Sequence, residues 1–339
     1  VFTLALCLGL ASSAGAAPRS FYGVVPFEDP GQADINRMGA GKVGQVRINF
    51  YWAAVQPLEG WPYDWTRYDA IVERAAQKGI RVFPTVYGSP AWAANQARHP
   101  PKPQYRDDFE NFIRAAAQRY GPGGDFWTLN PFLPKLPIVD WQMWNEVNSP
   151  TFWYSKPKAK QYKPLLAAGN RGVKSVNPNS NIVLAGIFKT PQVKNGVPMA
   201  KYLRQLYRTG AKPLFDAIAV HPYALTPQKA LQTLDEARRV MRRHKDGKTP
   251  VWITELGWAS SGIRTPVTVS PKKQARYLRQ TFKKAAKTRK RRHIAGVFWF
   301  CFQDLKPKFW IYRTGLLTKS GKAKPSWKAF VRFTGGRPS

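Results

Sequence analysis

Residues 138–148 read Ile138-Val139-Asp140-Trp141-Gln142-Met143-Trp144-Asn145-Glu146-Val147-Asn148. A short apolar run closes on an amide and a carboxylate. A carboxylate at the end of a buried strand is costly unless it is paired or used. The same grammar returns at Val251-Trp252-Ile253-Thr254-Glu255-Leu256-Gly257-Trp258. Two lone carboxylates at the ends of two apolar strands are what a parallel barrel needs to build a site at its mouth.

Working outward, the chain alternates apolar, β-rich runs with longer stretches of helical period, which points to βαβ units. Eight strands are expected, at Phe21–Val25, Gln45–Phe50, Arg81–Val86, Ile138–Trp144, Ile182–Ala185, Ala217–His221, Val251–Glu255 and Gly296–Phe300. Most are continuous apolar runs, as expected of strands covered on both faces. Helices are expected at Thr66–Lys78, Asp107–Tyr120, Ala200–Thr209, Pro227–Arg243 and Pro271–Lys287, two of them opening on proline. The fold class is α/β, a (β/α)8 TIM barrel in a single domain over residues 18–335, with a frayed tail at 336–339. The 339 residues suffice, since such a barrel takes about 250.

The first residues, VFTLALCLGLASSAGAAPRS, form an apolar run followed by Ala14-Gly15-Ala16. This is the core and cleavage region of a secretory signal peptide, expected over 1–17, and it implies action outside the cell. The run is too short to span a bilayer, so no stable membrane insertion is expected. The two cysteines are Cys7 and Cys301, so removal of the signal leaves no internal disulfide. Cys301, in Val297-Phe298-Trp299-Phe300-Cys301-Phe302, reads as a small buried hydrophobe.

Lys and Arg number 54 against 19 Asp and Glu, for a formal net charge of +35. The plain reading is a solvated basic surface. The sharper one is attraction of an acidic glycan, an anionic cell wall or nucleic acid. No nucleic-acid-binding motif is present, so no nucleic-acid partner is expected. Four histidines without ligand spacing and no glycine-rich phosphate loop leave no metal and no cofactor expected.

Paired carboxylates serve glycoside hydrolysis, one protonated to donate to the leaving oxygen and one ionised to attack. The Asn145-Glu146 pair and the run Thr254-Glu255-Leu256-Gly257-Trp258 resemble clan A glycoside hydrolases of family 39 or family 5. The loop Trp52–Gly60 followed by Tyr63-Asp64-Trp65 resembles families 39 and 42. The resemblance implies a retaining glycosidase with Glu146 as acid/base and Glu255 as nucleophile. It also implies that Asn145 binds the sugar 2-OH, that Arg47 keeps the nucleophile ionised, and that His221 and Tyr223 form a His-x-Tyr element beside it. Trp299 would floor the subsite of the sugar being cleaved, and Trp52, Trp92 and Trp258 are candidates for stacking against sugars. The histidine that family 5 usually carries near the end of strand three is absent from Pro84–Trp92. The expected partner is a carbohydrate, of which an acidic or wall-attached glycan would suit the charge. Two alternatives stay open. One is transglycosylation on the same site, and the other is a basic wall- or nucleic-acid-binding protein on an inactive barrel.

Overall fold

The computed structural model describes residues 17–154, 156–189 and 193–338. The signal peptide expected over 1–17 lies, save Ala17, outside the described residues. Eight parallel strands close in chain order: β1 (Tyr22–Val25), β2 (Gln45–Tyr51), β3 (Arg81–Tyr87), β4 (Asp140–Asn145), β5 (Asn181–Phe188), β6 (Ile218–His221), β7 (Val251–Ile253) and β8 (Ile294–Phe300). β8 returns to pair with β1, from Tyr22 opposite Val297 to Val25 opposite Phe300. This is a TIM barrel. Each expected strand is present, displaced at its ends by at most a few residues.

The barrel has two apolar layers. Phe83, Val183, Ala219, Trp252, Phe298 and Cys301 fill its interior. Cys301 is fully buried, and burial pushes its thiol up to about 12, as befits a packing residue. A larger cluster joins the outer strand faces to the helices, including Phe50, Phe112, Trp141, Leu166 and Phe282. The period of two is plain on β2, where Val46, Ile48 and Phe50 face the helices while Arg47, Asn49 and Tyr51 face the cavity.

The helices begin where local chemistry satisfies their first N–H groups. Thr226 and Ser270 cap Pro227–Arg243 and Pro271–Arg292, accepting from the backbone N–H of Lys229 and Lys273. The second helix runs past the expected Lys287 to Arg292, because its basic last turn suits the negative end of the helix dipole. Helices Gln32–Ala40, Ala159–Lys174 and Pro325–Thr334 were not expected. The last of these packs against Pro271–Arg292.

The frayed tail expected at 336–339 is instead tied down as far as residue 337. The Arg337 N–H donates to the Ala40 carbonyl at 2.8 Å, and Gly336 presses so close to Gly41 that a Cβ would fall 2.2 Å from its carbonyl carbon. Among the described residues, no helix is long and apolar enough to cross a membrane.

Candidate active site

Arg47, 2% exposed, sits at the centre of the barrel mouth. Nη1 donates to Glu255 Oε1 at 2.9 Å, Nη2 to Asn145 Oδ1 at 2.9 Å and Nε to Gln142 Oε1 at 3.2 Å. One planar fork thus ties β2 to β4 and to the end of β7. Gln142 is itself held, its amide donating to the Trp144 carbonyl at 2.9 Å. Tyr223, just past β6, donates its hydroxyl to the other Glu255 oxygen at 3.0 Å. Burial, reinforced by the charges of Glu255 and Glu146, drives the Tyr223 phenol well above its ordinary range, so it stays a donor.

Glu146 is placed by a different device. Trp144 and Glu146 both have left-handed backbones, with φ of 75° and 37°. Such conformations are costly for non-glycine residues and cluster at functional sites. Here they turn the chain out of strand alternation. Met143 and Trp144 both pack in the outer layer, and Asn145 and Glu146 then both face the cavity. Neighbouring strands hold the turn, with the Glu146 N–H donating to Gly186 O at 2.9 Å. Asn148 donates to Phe188 O at 2.7 Å and Val197 O at 2.8 Å.

His221 Nδ1 lies 2.8 Å from Glu146 Oε1. The imidazole is fully buried, and burial lowers its pKa to about 4, with Glu255 opposing and Arg47 assisting. It is therefore a neutral ring at ordinary pH. Nε2 has no partner and faces Gly186, where a Cβ would stand 2.0 Å away. With Nδ1 as donor, only a lone pair is left buried there. Burial raises the Glu146 carboxyl to about 7, against a smaller lowering by Arg47.

Glu146, His221 and Glu255 each bring a ligand-type atom within 4.8 Å of the others. A cation there would compete with partners already in place. Arg47 and Tyr223 take the two Glu255 oxygens, and Nδ1 is engaged by Glu146. The donor set therefore fits acid–base and nucleophilic chemistry better than metal binding.

The cavity over this group measures about 380 Å³ and is walled by aromatic rings, among them Phe27, Tyr51, Tyr87, Phe152, Phe188, Phe300, Trp310 and Tyr312. Arg47, Asn145, Glu146, Tyr223 and Glu255 line it as expected from the sequence, and His221 stands behind Glu146. The four expected tryptophans do not line it. Trp299 is fully buried in the layer between strands and helices, its Nε1 donating to Thr314 O at 2.9 Å. Phe300, one residue on, faces the cavity in its place. Trp258 is also buried and donates to Ala224 O at 2.7 Å, and Trp52 is buried and donates to Gln56 Oε1 at 3.0 Å. Trp92 is half-buried and packs edge-on against Trp52 with ring centres 5.0 Å apart. Large flat rings are as useful for closing the barrel's outer layer as for stacking on sugar.

Two of the residues missed were readable by alternation, since Asn49 and Tyr51 follow Arg47 at two-residue steps on β2. Tyr87 stands opposite Tyr51 in register, hydroxyl to hydroxyl at 3.1 Å, within the histidine-free stretch Pro84–Trp92. Phe27 and Phe309, from loops, and Tyr312, from the short 3-10 helix Trp310–Arg313, carried no such signal.

The family described as the glycosyl hydrolase catalytic core matches residues 144–329, from the turn before Glu146 to the last helix. Among curated proteins, none matches the sequence. Solved structures share the fold at low identity. A family 39 glycoside hydrolase from Bacteroides cellulosilyticus WH2 is 21% identical with a TM-score of 0.70, over 94% of this chain and 63% of that one. A monomeric β-xylosidase from Caulobacter crescentus CB15 is 15% identical with a TM-score of 0.68, over 94% of this chain and 68% of that one. An exo-β-1,4-mannosidase from Opitutaceae bacterium strain TAV5 is 17% identical with a TM-score of 0.62, over 95% and 60%. This chain thus spans less than two thirds of the length of the first and third of these.

Proposed function

The chain belongs to the glycosyl hydrolase catalytic core family, and from that premise we propose that it cleaves O-glycosidic bonds of a poly- or oligosaccharide by double displacement. The observation that carries the mechanism is the closeness of the two carboxylates, which bring oxygens within 4.8 Å of each other. Retaining enzymes space the pair by about 5–5.5 Å, whereas inverting enzymes leave about 6.5–9.5 Å for an intervening water.

In the first step Glu146 gives its proton to the leaving oxygen, the C1–O bond breaks, and a Glu255 oxygen bonds to C1. In the second, Glu146 takes a proton from water, the water oxygen bonds to C1, and the Glu255–C1 bond breaks. Both Glu255 oxygens accept from strong donors, which orients an acceptor-only carboxylate for attack. Glu146, raised to about 7 by burial, carries a proton to donate at neutral pH. Asn145, gripped by Arg47, offers its amide to a hydroxyl of the bound sugar. The names of the β-xylosidase and the β-mannosidase among the structural neighbours support a β-linked substrate. The apolar N-terminal run supports export before action.

The test is turnover of aryl β-glycosides and polysaccharides by the protein beside Glu255→Ala, with ¹H NMR of the first-formed product. Retained anomeric configuration, lost with Glu255, is expected. Inversion would overturn double displacement. Absence of turnover across the panel would favour a binding protein, and sugar-acceptor products would favour transglycosylation.

A further inference from the structure

Among the described residues, the cavity is lined by four charged side chains, Arg47, Arg98, Glu146 and Glu255. Three of these answer one another. Arg47 is engaged by Glu255, Asn145 and Gln142, and Glu146 by His221. Arg98 alone has no counter-ion. Its guanidinium lies over the Phe152 ring, 5.5 Å from the centroid, where the loop after β3 meets the loop after Glu146. Among the described residues no side chain takes up the Arg98 fork, and such a fork matches a carboxylate in a bidentate pair.

The loop presenting Arg98 is held in place. The Ser89 hydroxyl donates to His99 O at 2.9 Å, the Lys102 N–H to Ala93 O at 2.9 Å, and the His99 ring packs edge-on against Tyr154. The backbone that carries Arg98 is thus held before a ligand arrives. The rest of the wall serves neutral sugar well enough, with Asn49, Tyr51 and Tyr87 for hydroxyls and aromatic faces for rings. Arg98 is exposed on the cavity wall, so its guanidinium is open to an anionic group that enters the cavity. The net charge of +35 favours delivery of polyanions to such a cavity.

We propose that the substrate is an acidic glycan, with the carboxylate of a uronate residue paired to Arg98. This deepens the glycosidase reading of the same cavity and rests on it. A single guanidinium calls for a single negative charge, which a uronate carboxylate supplies. A sulfate ester shares the fork chemistry and forms a separate arm of the test.

Calorimetric binding is measured in a Glu146→Gln background, which slows turnover, at physiological salt, where the loose surface field is screened. The probes are galacturonate, glucuronate and mannuronate oligosaccharides, each beside its carboxyl-reduced counterpart, and a sulfated neutral oligosaccharide. At least one uronate series is expected to bind about tenfold or more tighter than its reduced form, the scale of one charge-assisted pair. Arg98→Gln should erase that preference. Lys287→Gln, an exposed basic residue of Pro271–Arg292, should keep it. Equal binding of acidic and reduced forms, or a preference that survives Arg98→Gln, overturns the proposal. An Arg98-dependent preference for the sulfated probe alone reassigns the anion. Turnover by the wild-type chain is scored separately. Arg98-dependent binding with no hydrolysis sinks the glycosidase reading and leaves the carboxylate pair standing. Hydrolysis of neutral glycans with no acidic preference sinks the pair alone.

Discussion

Glu255 lies two residues past β7, on a stretch with no left-handed residue, with a guanidinium 2.9 Å from one oxygen and a phenol 3.0 Å from the other. Glu146 is itself left-handed, two residues after the left-handed Trp144, and among the described residues its side-chain hydrogen-bond partner is a neutral imidazole at 2.8 Å. Both side chains are largely sunk into the same cavity, 11% and 14% exposed. What separates them is the number and charge of the donors each receives. That is how one residue type supplies both an attacking group and a proton donor.

The sharpest way to break this contrast is to neutralise one side. Glu255→Gln should lower turnover by about 10⁴-fold or more, as expected when a covalent nucleophile is removed. Steady-state rates on every leaving group should fall together. A mild loss would mean that the donor-rich carboxylate is not the attacking one.

Glu146→Ala should act selectively. The loss should be about 10²–10⁴-fold on poor leaving groups, the usual range for a general acid, and much smaller for the first step on activated aryl glycosides. Added azide should restore turnover by replacing the base-activated water. Uniform loss across a leaving-group series, without azide rescue, would erase the division of labour.

The contrast also predicts opposite pH behaviour for the two buried partners. Glu146 is raised in the folded chain to about 7 from 4.5. Its contribution to stability is therefore fully present below about 4.5 and lost as pH rises through about 7. His221 is lowered from 6.5 to about 4, so its contribution is present above about 6.5 and lost as pH falls through about 4. Calorimetric melting from pH 4 to 8 should show Glu146→Gln relieving the loss toward neutral pH and sparing the loss on the acid side. Catalytic rate should fall as pH rises through about 7, where Glu146 gives up its proton.

The smallest expected effect is at Gly186. A methyl there would stand 2.0 Å from His221 Nε2, so Gly186→Ala must displace the ring. Overpacking of this kind costs about 1–3 kcal/mol. The displacement should move the alkaline limb of the rate profile, because His221 touches Glu146. Unchanged limbs with lowered stability would make His221 a packing residue only.

Much of this molecule is written along the chain. Most strands were legible as apolar runs, and both glutamates as lone carboxylates at strand ends, because a buried strand and an unpaired charge are local and rare signals. Arg47 was legible only through the family resemblance, as the arginine of the second strand. The helix Ala159–Lys174 was harder to read, having an internal proline and glycines that local propensity counts against. The tertiary packing of its buried face outweighs them.

The face of β8 was beyond reading from sequence. In Val297-Phe298-Trp299-Phe300-Cys301 every side chain is apolar, so polarity does not say which alternate set points inward, and a one-residue slip puts Trp299 at the cavity instead of Phe300. Nor could spacing along the chain bring Glu146 and Glu255 together, set Arg98 over Phe152 or turn Asn145 and Glu146 both inward. The chain alone determined which residues bear charge and which segments must be buried. The closing of eight strands into a ring decided which of those charges meet, because distances across a barrel mouth depend on strand register and closure.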